Sequence, residues 1–140
     1  MKMDSYSLFP AAVLAALLYA PPTQARPRDD AMAGAFRCAV IGNSRVWLDC
    51  YYGAAQPVRA QLGMAPAPTD QIKLAMTPPG GGAVQDNAVR DNIMADAAGC
   101  IHIDNDRQWL NCYYGATQPM RARLGLSALP HAPGAPARPI

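Results

Sequence analysis

The sequence predicts a small disulfide-braced α+β protein, a tandem repeat of a β-hairpin plus a short helix packed as one domain about a pseudo-two-fold axis. Three observations lead there. Residues 28–64 return at 90–126 with 22 of 37 positions identical, so the chain is a duplication. All four cysteines and both tryptophans fall inside the two copies. Within each copy, apolar residues alternate as a half-buried hairpin requires.

The chain divides in order. Residues 1–25 read as a signal peptide: Lys2 gives a positive start, and the run from Leu8 to Ala20 is almost wholly apolar yet too short for a bilayer span. Thr23, Gln24 and Ala25 suit cleavage before Arg26. Repeat 1 covers 26–64, a linker with a candidate strand at 71–77 covers 65–89, and repeat 2 covers 90–126. The last stretch, 127–140, is expected to be a disordered proline-rich tail.

Export sets the reading of the cysteines. Each copy carries one Cys-x11-Cys pair, and a duplicated unit most simply keeps its own bridge, giving Cys38–Cys50 and Cys100–Cys112. Each bridge closes a loop of about a dozen residues, worth about 3 kcal/mol in the chain-entropy model. A 37-residue unit needs such help to fold. Metal ligation fits poorly, because zinc sites space their paired cysteines two to four residues apart. No metal or other cofactor is expected.

Folding each copy about its turn sets Phe36 opposite Tyr52, Cys38 opposite Cys50, and Val40 opposite Leu48 on one face. Gly42, Asn43 and Ser44 supply the turn. Short helices then follow at 57–62 and 119–124, opened by Pro57 and Pro119 and closed by Gly63 and Gly125. The competing pattern is disulfide-linked helical hairpins. Its stripe is Trp47, Tyr51, Ala54, Val58 and Leu62, but a continuous helix would hold Pro57 in its interior at about 3 kcal/mol.

The composition excludes some functions. A net charge of +2 favours neither nucleic acid nor an anionic membrane as partner. No residue pattern suggests catalysis: His102 stands where the first copy has Val40, His131 lies in the tail, and Asp49 becomes Asn111. The duplicated polar and aromatic residues are Tyr51, Tyr52, Gln56 and Arg59, with Tyr113, Tyr114, Gln118 and Arg121. Tyrosine and arginine dominate binding hot spots, so these eight residues are the candidate binding patch. The same residues also suit a purely structural role in closing each repeat.

Cys38, Ile41, Leu48, Cys50 and Tyr51 resemble a short helical motif of exported proteobacterial envelope proteins, among them periplasmic proteins associated with type VI secretion. The fuller Trp-Leu-(Asp/Asn)-Cys-Tyr-Tyr-Gly-Ala-x-Gln-Pro signature resembles that of secreted bacterial proteins. Both resemblances imply a compartment and no activity. The expected function is a non-catalytic periplasmic or secreted module that binds an envelope or protein partner. A small hydrolase inhibitor, presenting loop 42–45 to a cleft, is the alternative.

Overall fold

The computed structural model describes residues 26–130. The signal-peptide reading of 1–25 and the tail beyond Pro130 lie outside them. Among the described residues there is no strand, only an isolated parallel bridge between Ile41 and Gly81. The expected α+β hairpin fold is therefore replaced by an all-helical one. In the first copy, α1 (Pro27–Arg37) leads through a 3-10 turn (Cys38–Val40) into α2 (Ser44–Ala54) and α3 (Gln56–Gln61). The linker forms α4 (Thr69–Met76), so the candidate strand at 71–77 is also a helix. The second copy repeats the pattern with α5 (Asn87–Gly99), a 3-10 turn (Cys100–His102), α6 (Asp106–Gly115) and α7 (Gln118–Arg123).

Two local features defeat the hairpin. Asn43, read as a turn residue, and its counterpart Asn105 are helix N-caps: their side chains accept from Val46 N and Gln108 N, each at 3.0 Å. The prolines are harmless because each helix breaks before them. Ala55 N turns back to Tyr52 O, α3 starts at Gln56, and Pro57 falls in a first turn, where its missing N–H costs nothing. The stripe of the helical alternative is then buried, with Trp47, Tyr51, Ala54 and Val58 all inside. Phe36 and Val40, which a hairpin would bury, are 59% and 53% exposed.

Gly63 and Gly125 close α3 and α7 with φ of 66° and 68°. Beyond them Met64 N reaches Arg59 O at 3.0 Å and Leu126 N reaches Arg121 O at 2.9 Å, the six-to-one bond of a Schellman end. The disulfides Cys38–Cys50 and Cys100–Cys112 pin each 3-10 turn to the following helix. The core lies between the copies, around Trp47, Tyr51, Leu48, Trp109, Tyr113 and Leu110.

The linker covers the outer side of copy one. α4 lies so close on α2 that a Cβ at Gly53 would sit 1.9 Å from Gln71 O. Below it, 81–86 runs against the loop before α2: Gln85 N donates to Gly42 O at 2.9 Å, and Ser44 N to Gln85 Oε1 at 3.1 Å. Gly42 is required there, because a Cβ would meet Ala83 O at 2.8 Å. This stretch is a strap, not a free linker.

Candidate functional site

Six of the eight candidate residues, the four tyrosines and the two arginines, converge on the contact between the copies, while Gln56 and Gln118 hold the chain that leaves each copy. Tyr51 and Tyr113 stack with centroids 4.1 Å apart and planes 7° from parallel. Each hydroxyl donates to the other's backbone carbonyl, at 2.7 Å from Tyr51 and 2.6 Å from Tyr113. Those carbonyls lie among the last four of α2 and α6, where a helix has no donor of its own. The nearest amides, Ala55 N and Thr117 N, bond to Tyr52 O and Tyr114 O instead. Trp47 and Trp109 flank the stack, at 5.4 Å from Tyr51 and 5.2 Å from Tyr113. Burial pushes both phenols well above their ordinary range, with neighbouring tyrosines adding to it.

The second tyrosine pair sits beside the first. Tyr52 and Tyr114 meet edge to face at 5.6 Å. Arg121 donates to Tyr52 Oη at 3.0 Å and Arg59 to Tyr114 Oη at 3.3 Å, so each arginine reaches into the opposite copy. Burial raises the Tyr114 phenol, while its bond from Arg59 pulls it back. The same arginines hold the chain that leaves each copy: Arg59 Nη2 donates to Ala65 O at 2.6 Å, and Arg121 Nε to Ser127 O at 2.8 Å. Gln56 and Gln118 accept from Ala67 N at 2.8 Å and Leu129 N at 3.1 Å. The first residues of the tail are thus held as the linker is. Neither Arg59 nor Arg121 projects freely into solvent; both are half-buried.

Arg28 and Arg90, which sequence reasoning passed over, make the other reciprocal contact. Arg90 donates to Ile41 O at 2.6 Å and Gly42 O at 2.7 Å, with its guanidinium 5.3 Å from the Trp47 ring. Arg28 donates to Ile103 O and Asp104 O, and lies 5.7 Å from the Trp109 ring. The signal was present, since Arg28 and Arg90 form the first identical pair of the duplication. Their third nitrogens differ. Arg28 Nε pairs with Asp106 at 2.7 Å, but copy one has Ser44 at that place, and the buried Arg90 Nε has no partner. Burial lowers the Arg90 pKa, against the pull of Asp86. Ser44 bonds Asp86 at 2.6 Å, and that bond holds the Asp86 carboxyl below its usual range, helped by Arg123.

The reciprocal centre leaves the outer surfaces unequal. In copy one, Gly42 and Ser44 of loop 42–45 are buried under 81–86. In copy two, Asp104 is exposed, and a Cβ at Gly115 would meet nothing within 4 Å among the described residues. A shallow groove opens along α2 and α4, lined by Val46, Leu74 and Met76 together with Asp70, Lys73 and Thr77. Among the described residues, no helix is long and apolar enough to cross a membrane. No family model matches the chain, and neither a curated protein nor a solved structure does.

Proposed function

We propose that this protein is an exported, non-catalytic binding module of the bacterial envelope, in which the tyrosine and arginine centre is the scaffold and the outer surface makes the contact. The observation that carries this reading is the inequality of the copies around an identical centre. The contacts between the copies are largely reciprocal, yet among the described residues one outer side is roofed by the linker and the other is not. Two disulfides favour an oxidising compartment, extracellular or periplasmic, in keeping with the signal peptide expected at 1–25. The motif shared with exported envelope proteins supports the same compartment.

Residues 26–140, oxidised and immobilised, should retain a partner from envelope extract in stoichiometric amount. The retained fraction should be unaltered in mass after prolonged incubation. Turnover of an envelope polymer by the purified protein would overturn the non-catalytic reading. A stoichiometric hydrolase whose activity is blocked would replace it with inhibition.

A further inference from the structure

We infer that the face of α6 centred on Gly115 is the seat of this chain's own residues 131–138, which cross α6 where α4 crosses α2. The inference concerns contact within the chain and stands apart from the binding-module reading above. In copy one, Arg59 holds Ala65 O and Gln56 holds Ala67 N. Pro68 then stands before α4 as its N-cap, and α4 closes on α2 with Gln71 O against Gly53. Copy two repeats this approach to Pro130, the counterpart of Pro68: Arg121 holds Ser127 O and Gln118 holds Leu129 N. The described chain thus leaves copy two at the matching place and under the matching restraints. The residues that come next, His131 to Arg138, are the counterparts of Thr69 to Met76.

Gly115 marks the seat. It is the last residue of α6, and its φ is not in the left-handed region. Among the described residues, no atom would meet a Cβ there within 4 Å. A helix favours alanine over glycine, so neither the backbone nor the described packing asks for glycine. At Gly53 a neighbouring main chain requires it, since a Cβ would lie 1.9 Å from Gln71 O and 2.9 Å from Ile72 N. The counterpart of Gln71 is Pro133, and proline keeps its carbonyl although it lacks an N–H. A carbonyl seated as Gln71 O is seated gives Gly115 the use that Gly53 has.

The side-chain differences fit the same seat. Gln71 Nε2 donates to Asp49 Oδ1 at 3.2 Å. Where the crossing segment exchanges that amide for Pro133, the seat exchanges the carboxylate for Asn111, so no charge is left facing an apolar ring. What both copies keep does not depend on the crossing side chains: a glycine in the helix, and an arginine and a glutamine holding the approach. The same chain also has the advantage of nearness. Residue 131 follows the Leu129 anchor by two positions, and so short a tether presents the segment to α6 at about millimolar effective concentration. A foreign chain or a second copy has to compete with that, and a partner of the module that uses α6 has to displace 131–138.

Since α6 need not unfold when the segment leaves, the contact is read locally rather than from melts. Nuclear Overhauser spectra of the oxidised, isotopically labelled protein, residues 26–140, should connect Gly115 Hα with residues 133–136. Gly115→Val should weaken those cross-peaks about tenfold or more. The contacts between Tyr51 and Tyr113 should persist in the variant, because no described atom opposes the new side chain. Absence of any contact between α6 and 131–138 in the unsubstituted protein would overturn the proposal without a variant. So would contacts that survive Gly115→Val unchanged, which would put the segment elsewhere on α6. A mixture of labelled and unlabelled chains decides whose segment is seated. Cross-peaks within one molecule support the inference, and cross-peaks between molecules would make a second copy the occupant and overturn it.

Discussion

Around α2 the chain closes on itself, with α4 across one side and 81–86 across the start, whereas no described segment lies over the matching sides of α6. The residues follow that difference only in part. At the centre of the contact between the copies the residues are identical: Trp47 and Trp109, Tyr51 and Tyr113, Tyr52 and Tyr114, Arg59 and Arg121. Where the described chain covers copy one alone they diverge: Gly42 against Asp104, Val46 against Gln108. Identity follows the stacked centre, while divergence falls both at the cover, as at Gly42, and at the contact itself, as where Thr117 bonds Tyr52 in place of Ala55.

The largest test of the comparison is at the paired glycines. Gly53→Val should cost about 3 kcal/mol or more, because its side chain cannot coexist with the Gln71 carbonyl unless α4 lifts away. Gly115→Ala should instead raise stability by up to about 0.5 kcal/mol, through the unfolded state. Urea melts of the two variants measure both. Equal effects would mean that the roof is not what distinguishes the copies.

The disulfides come next. Loss of either bridge should cost about 3 kcal/mol. Access should differ, because Cys38 and Cys50 are both fully buried while Cys112 is only half-buried. Under mild reductant, alkylation and peptide mapping should find Cys100–Cys112 opened first.

The tyrosines should show symmetry where the glycines show its absence. Tyr51→Phe and Tyr113→Phe each leave one buried carbonyl without a donor, and each should cost about 1–3 kcal/mol. Their pKa values are raised in the fold, so the stabilising neutral form is intact below the ordinary value of 10.0 and its contribution is lost as pH rises above it. Equilibrium melts should hold level up to about pH 10 and fall beyond it, less steeply in either phenylalanine variant. Markedly unequal costs for the two substitutions would break the reciprocal picture.

Smaller effects attend the arginines. Asp106→Ser gives Arg28 the surroundings of Arg90 and should cost about 0.5–1 kcal/mol, since that ion pair is partly exposed. Asp86, held below its ordinary value of 3.8 by the Ser44 hydroxyl, contributes above that pH and loses its contribution as pH falls through the lowered value. Asp86→Asn should therefore flatten the acid limb of the stability curve, a slight change best read by melts between about pH 4 and 2.

Much of this was legible in the residues, and the reasons for the rest are local. The duplication and the pairing of the four cysteines could be read directly, because both depend on sequence distance. Helix against strand could not, since Cys38, Val40, Leu48 and Cys50 satisfy a two-residue period by coincidence. Deciding it required knowing that Asn43 caps and that the helix breaks at Ala55, ahead of Pro57. The candidate patch was legible as a set, and the structure does gather it. Tyr51 and Tyr113 face across toward carbonyls that no pattern could reveal as lacking donors, and Gln56 and Gln118 turn instead to the chain leaving their own copy. The strap was hidden because Pro78, Pro79 and three glycines look like slack chain until their path along Gly42 is seen.

The exchange of hydroxyls between Tyr51 and Tyr113 has one more consequence. Residue i meets j, and j meets i, which is the contact rule of an isologous homodimer. The molecule is built as such a dimer with its subunits joined end to end, and residues 65–86 are the tether. A short tether holds one subunit near the other at about millimolar effective concentration, so association no longer depends on how much protein the cell makes. Freed from having to serve as both partners at once, the outward surface of each subunit can change alone. A roof over α2 with no described counterpart over α6 is what such a fused pair permits and a true homodimer forbids.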